Sequence, residues 1–84
     1  MDKTETQTDF RKTRDRFLRL KINYLVGRYL YQARLHAMVI RDRAARRICI
    51  SEMDLRLIER GSLSIPLCDL AKLAELYGMR EAEI

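Results

Sequence analysis

Chain breakers are scarce in this sequence of 84 residues, which holds three glycines, one proline and no tryptophan. A many-stranded β architecture needs turn residues at every corner, so that class is excluded. Cysteine and histidine are equally sparse. Cys49, Cys68 and His36 form neither a disulfide framework nor a metal-ligand spacing, and reduced, semi-buried thiols are expected. No apolar run reaches the roughly 18 residues that a membrane-spanning helix needs. The opening residues 1–6 are polar and mixed in charge, unlike a secretory signal, so a cytoplasmic chain is expected. Catalysis requires convergent acids, bases or nucleophiles. One histidine and scattered carboxylates offer none, and neither an enzyme nor a cofactor is expected.

What the chain does contain is Leu, Ile, Ala and Met at helical spacing. Its length suits one domain, and an all-α fold of four to five short helices is predicted, preceded by a basic N-terminal helix. The net charge is +5, and its distribution says more than its size. Residues 11–47 carry twelve Lys/Arg against two Asp, whereas residues 48–84 carry four basic against seven acidic residues. A basic half of this kind suits a polyanion, or a solvated helix surface whose arginine stems cover apolar patches.

Residues 1–9 are polar and predicted to be disordered. Residues 10–21 form a basic amphipathic helical leader, with Phe10, Phe17, Leu20 and Tyr24 as its apolar stripe, either separate from the next helix or continuous with it, since neither Gly nor Pro intervenes before Gly27. Residues 22–84 form the domain. Val26, Leu30, Ala33 and Ala37 recur at i, i+4, i+7, i+11, which predicts a first helix over about 22–37. A short second helix starts at Arg41, with Ala44, Ala45 and Ile48 on its apolar side. Cys49 and Ile50 make the turn, and Ser51 caps a third helix with Glu52 and Asp54 in its first turn. Gly61 ends that helix. Pro66 opens a fourth whose stripe is Leu67, Leu70, Leu73, Ala74 and Tyr77, closed by Gly78. Residues 80–84 look like the start of a fifth.

Two short helices, a tight turn and a capping Ser compose a helix-turn-helix pattern. Residues 26–79 resemble the lambda-repressor/Cro-like (XRE) DNA-binding family. The resemblance rests on Val26, Gly27, Leu30, Arg34, Ala44, Ala45, Ile48, Ile50, Ser51, Leu55, the run Ile58-Glu59-Arg60-Gly61, and Leu70-Ala71-Lys72-Leu73-Ala74-Glu75-Leu76-Tyr77-Gly78. It implies an ion pair between Arg34 and Glu59 that ties the first helix to the recognition helix. It also implies that Glu52, Met53 and Leu57 face the major groove, with Asp54 and Arg56 beside them and the capping Ser51 counted among the DNA-binding residues. Ile40 and Arg41 stand where the family places a cap and a phosphate-gripping Gln, and Cys49 stands where a turn glycine is common.

Two carboxylates and two apolar tips suit a phosphate-lined duplex poorly. The expected function is therefore a DNA-binding transcriptional regulator that holds duplex DNA largely through Arg41, Arg43, Arg46, Arg47, Arg60 and the basic helix before residue 22, with Arg56 also counted among the DNA-binding residues. The alternative is a protein-interaction module in which Met53 and Leu57 dock a second regulatory protein. The resemblance implies a homodimer and a bacterial or phage, nucleoid-associated setting. The leader is expected to serve assembly with its basic face left for DNA, and a membrane-surface role for it stays open.

Overall fold

With neither Gly nor Pro before Gly27, nothing in the first 26 residues terminates a helix. The computed structural model describes residues 3–79, with side chains from Lys12 onward. It contains one long helix, α1 (Lys3–His36), followed by α2 (Arg41–Arg47), α3 (Glu52–Arg60) and α4 (Leu67–Leu76). The protein is all-α, with four helices among the described residues.

The leader and the predicted first helix are thus one rod. Its helical course begins at Lys3, inside the stretch expected to lack structure, because propagation adds a hydrogen bond per residue once a helix is nucleated. Thirty-four residues at 1.5 Å rise span about 51 Å, so α1 accounts for most of the molecule's 55 Å long dimension. Residues 12–22 are exposed on every side, and burial begins at Asn23. The predicted start of a fifth helix, residues 80–84, lies outside the described residues.

All four helices end the same way. In each, the residue that follows the left-handed one donates back five positions: Val39 N to Arg34 O (3.1 Å), Ile50 N to Ala45 O (3.0 Å), Ser62 N to Leu57 O (2.9 Å) and Met79 N to Ala74 O (2.9 Å). This closure requires a left-handed residue just after the helix. Gly61 (φ 83°) and Gly78 (φ 74°) supply it without steric cost, whereas Met38 (φ 57°) and Cys49 (φ 58°) adopt it with a Cβ present. Cys49 therefore takes a turn geometry that glycine adopts more readily.

α1 packs chiefly on α3, and α2 packs on both α3 and α4. Leu30, Leu55 and Leu73 are fully buried at the centre. Ala44 and Ala45 are buried beside them, where small side chains let α2 lie close. Gly27 marks the crossing of α1 and α3: a Cβ there would collide with the backbone carbonyl oxygen of Ile58 and press on that of Glu59. Asn23 Nδ2 donates to Ser64 Oγ (2.9 Å), tying the α3–α4 loop to α1.

Two local expectations are corrected. Leu67 was grouped with the buried stripe of α4 but is 79% exposed. Pro66 sits at the N-cap, one residue earlier than expected, so Leu67 falls in a first turn that rises clear of the core. Both thiols are exposed rather than semi-buried, because Cys49 occupies the left-handed turn position and Cys68 the outer side of the first turn of α4.

Candidate nucleic-acid interface

The site is organised by one carboxylate. Ser51 accepts from Asp54 N (3.0 Å) and so starts α3. Two and a half turns later Glu59 faces inward, only 8% exposed. Its Oε2 accepts from Arg34 Nε at 2.7 Å, and its Oε1 accepts from Arg34 NH2 at 3.2 Å, the two-pronged geometry that a planar guanidinium permits. Arg34 also donates to Val39 O (3.1 Å) and lies over the Tyr31 ring, 5.5 Å from its centroid. Hydrogen bonding to Glu59 holds the Arg34 guanidinium above its ordinary pKa despite the opposing cost of burial. The pair expected from the resemblance is thus formed and buried.

Sequence reasoning missed a third member. Arg41 Nε donates to Glu59 Oε1 at 3.0 Å, so Glu59 holds two arginines at once. No spacing rule links residues 41 and 59; only the packing of α2 on α3 brings them together. Close by, burial pushes the Tyr77 phenol up to about 12, with the Glu59 carboxylate adding to the shift. The Tyr77 hydroxyl is buried and has no hydrogen-bond partner among the described residues.

The six arginines of the helix-turn-helix expected to meet DNA fall into two groups. Arg41, Arg56 and Arg60 line one open cleft with Tyr31 and Glu59. Arg43, Arg46 and Arg47 project from α2 on the side opposite Ala44 and Ala45, and all three are exposed. Arg46 is partly neutralised by Asp42 one turn away (3.1 Å), and Arg41 is committed to Glu59. Arg43, Arg47, Arg56 and Arg60 have no ion pair among the described residues.

α3 turns Leu55, Ile58 and Glu59 inward. Its outward residues Glu52, Met53, Arg56 and Arg60 follow an i, i+1, i+4, i+8 spacing that defines one face, and all are exposed. Leu57, expected on that face, is half-buried at its edge. Asp54 lies off it, with its backbone N–H engaged by Ser51. The face thus carries one carboxylate against two guanidiniums, which makes it less acidic than the bare sequence implied. Both acids also sit in the first turn, where the helix dipole favours them.

The chain matches no family model, and no curated protein or solved structure is significantly similar to it. No described helix is long and apolar enough to cross a membrane, and no cluster of metal-ligating side chains occurs among the described residues.

Proposed function

We infer that this protein is a DNA-binding transcriptional regulator of the lambda-repressor/Cro-like type, gripping the duplex mainly through arginine–phosphate contacts. The observation that carries the reading is the buried Arg34–Glu59–Arg41 cluster beneath an α3 face that presents Arg56 and Arg60. It locks the exposed helix to α1 and sets Arg41 at the mouth of the same cleft. Base reading is sparse: Glu52 can accept from cytosine N4 and Met53 can rest on a thymine methyl. Phosphate contact and DNA shape supply the rest. Pairing of two copies, expected for such regulators, falls to the exposed Phe17, Leu20 and Tyr24 stripe of α1.

The test is binding to random and genomic duplexes by fluorescence anisotropy over a series of salt concentrations. Four unpaired arginines on phosphates give a log–log slope near −3.6, roughly a hundredfold loss between about 50 and 200 mM salt. Replacing Arg43 and Arg56 together by Ala should about halve that slope. Salt-independent affinity, or none, overturns the reading.

A second reading, docking of a protein on α3, is favoured by the 59% exposure of Met53. Its anchor Leu57 is half-buried, which leaves a smaller apolar contact than the sequence suggested. Loss of partner capture by Met53→Ala with Leu57→Ala, at unchanged DNA affinity, would select it.

A further inference from the structure

α1 carries a second apolar stripe, distinct from the Phe17, Leu20 and Tyr24 stripe and from the face buried on α3. Leu18, Ile22, Leu25 and Tyr29 follow a 4-3-4 spacing, the a/d seam of a heptad repeat, and are 47%, 58%, 55% and 40% exposed. Asp15 and Gln32 occupy the next seam positions and bound the stripe at about three turns. The seam does not lie on a flat surface. Between α1 and α4 lies an apolar trough of two adjoining cavities, about 240 Å³ and 120 Å³, whose shared wall is Val26 and Leu70. Exposed Leu67 rims its far side.

We propose that this trough binds an acidic amphipathic helix of another protein, laid along α1 with its apolar side chains in the two cavities and its carboxylates against the flank of the seam. Charge determines the occupant. The heptad positions on the open flank are Arg14, Lys21 and Arg28, all basic and all exposed. A second α1 packed antiparallel would set these residues against their own copies. Packed parallel, it would oppose them with Arg19, Val26 and Ala33, which again offer no carboxylate. A helix with Glu or Asp at its flanking positions satisfies both the seam and the flank, in the helix-in-groove mode. A bilayer surface would match the basic apolar character of α1, but it would leave a concave trough unfilled.

The probe is a synthetic peptide of about three heptads with Leu and Ile at a and d and Glu at e and g, titrated calorimetrically into the full chain. A peptide differing only in Lys for Glu is the control. The Glu peptide is expected to bind at least about tenfold tighter than the Lys peptide and to weaken at least about tenfold with Ile22→Asp. Ile22 is exposed, so that variant should keep its helical signal. Lys21→Glu with Arg28→Glu should reverse the preference between the two peptides. Several results overturn the proposal: no binding, equal binding of both peptides, or binding untouched by Ile22→Asp. Self-association of the free chain that Ile22→Asp abolishes would make the occupant a second copy. Binding to phosphatidylglycerol vesicles but not to the Glu peptide would make it a membrane. A tenfold gain in peptide affinity for a chain ending at Met79 would make it the chain's own last residues.

Discussion

Removing the Glu59 carboxylate leaves a buried guanidinium without its counter-charge. Glu59→Ala leaves Arg34, itself only 6% exposed, with a charged guanidinium that keeps one hydrogen bond, to Val39 O. An exposed ion pair would contribute about 0–1 kcal/mol. Here the side chains of Arg34 and Glu59 are 7% and 3% exposed, so the cost of an uncompensated buried charge applies, about 3–5 kcal/mol. A domain of this size has a total stability of about 5 kcal/mol, so Glu59→Ala should be largely unfolded or close to it. Arg34→Met with Glu59→Leu together should recover most of the loss, because no charge is then buried and Arg41, at 22% side-chain exposure, can turn to solvent. Urea denaturation followed by far-UV circular dichroism measures all three. A loss below about 1 kcal/mol in Glu59→Ala would refute the reasoning, as would a double variant no more stable than the single one.

Other expectations concern backbone geometry and the buried phenol. Cys49→Gly and Met38→Gly should each stabilise by about 0.5–1 kcal/mol, since both residues hold a left-handed φ and are exposed; a lowered melting temperature in either would contradict the shared helix-end geometry. Gly27→Ala should destabilise by about 2 kcal/mol or more, because the added methyl meets the immovable backbone of α3; a helix-propensity gain instead would show that α1 and α3 are not in close contact. Tyr77→Phe should leave stability unchanged or raise it by about 1 kcal/mol, as the hydroxyl it removes is buried without a partner. The Tyr77 pKa is raised on folding from 10.0 to about 12, so the neutral phenol's advantage is fully present below pH 10. It is lost as pH climbs through 12, at a cost of about 1–2 kcal/mol after allowance for solvent screening. Wild-type chemical denaturation should therefore shift to lower urea over that window, and Tyr77→Phe should not share the shift.

Much of this could be read from local pattern. Helix identity follows from the 3.6-residue recurrence of Val26, Leu30, Ala33 and Ala37, and the start of α3 from Ser51. Its end follows from Gly61. These signals act within a turn or two of chain, where spacing and geometry are nearly the same thing. The Arg34–Glu59 pair is implied by the resemblance, and the structure holds it at 2.7 Å.

Tertiary structure decided the rest. That α1 can run unbroken from leader to core follows from the lack of Gly and Pro before Gly27, but that its burial begins only at Asn23 is set by packing on α3. Arg41 joins Glu59 because α2 packs on α3, across a separation of eighteen residues. Asp54 leaves the outward α3 face because packing turns Leu55, Ile58 and Glu59 inward, and that choice fixes which side of the helix points away from the core. The heptad spacing on α1 is present in the letters, but packing decides how far other elements cover that stripe. Its side chains stay 40–58% exposed beside the α1–α4 trough, because burial is a property of the assembled chain and composition alone does not contain it.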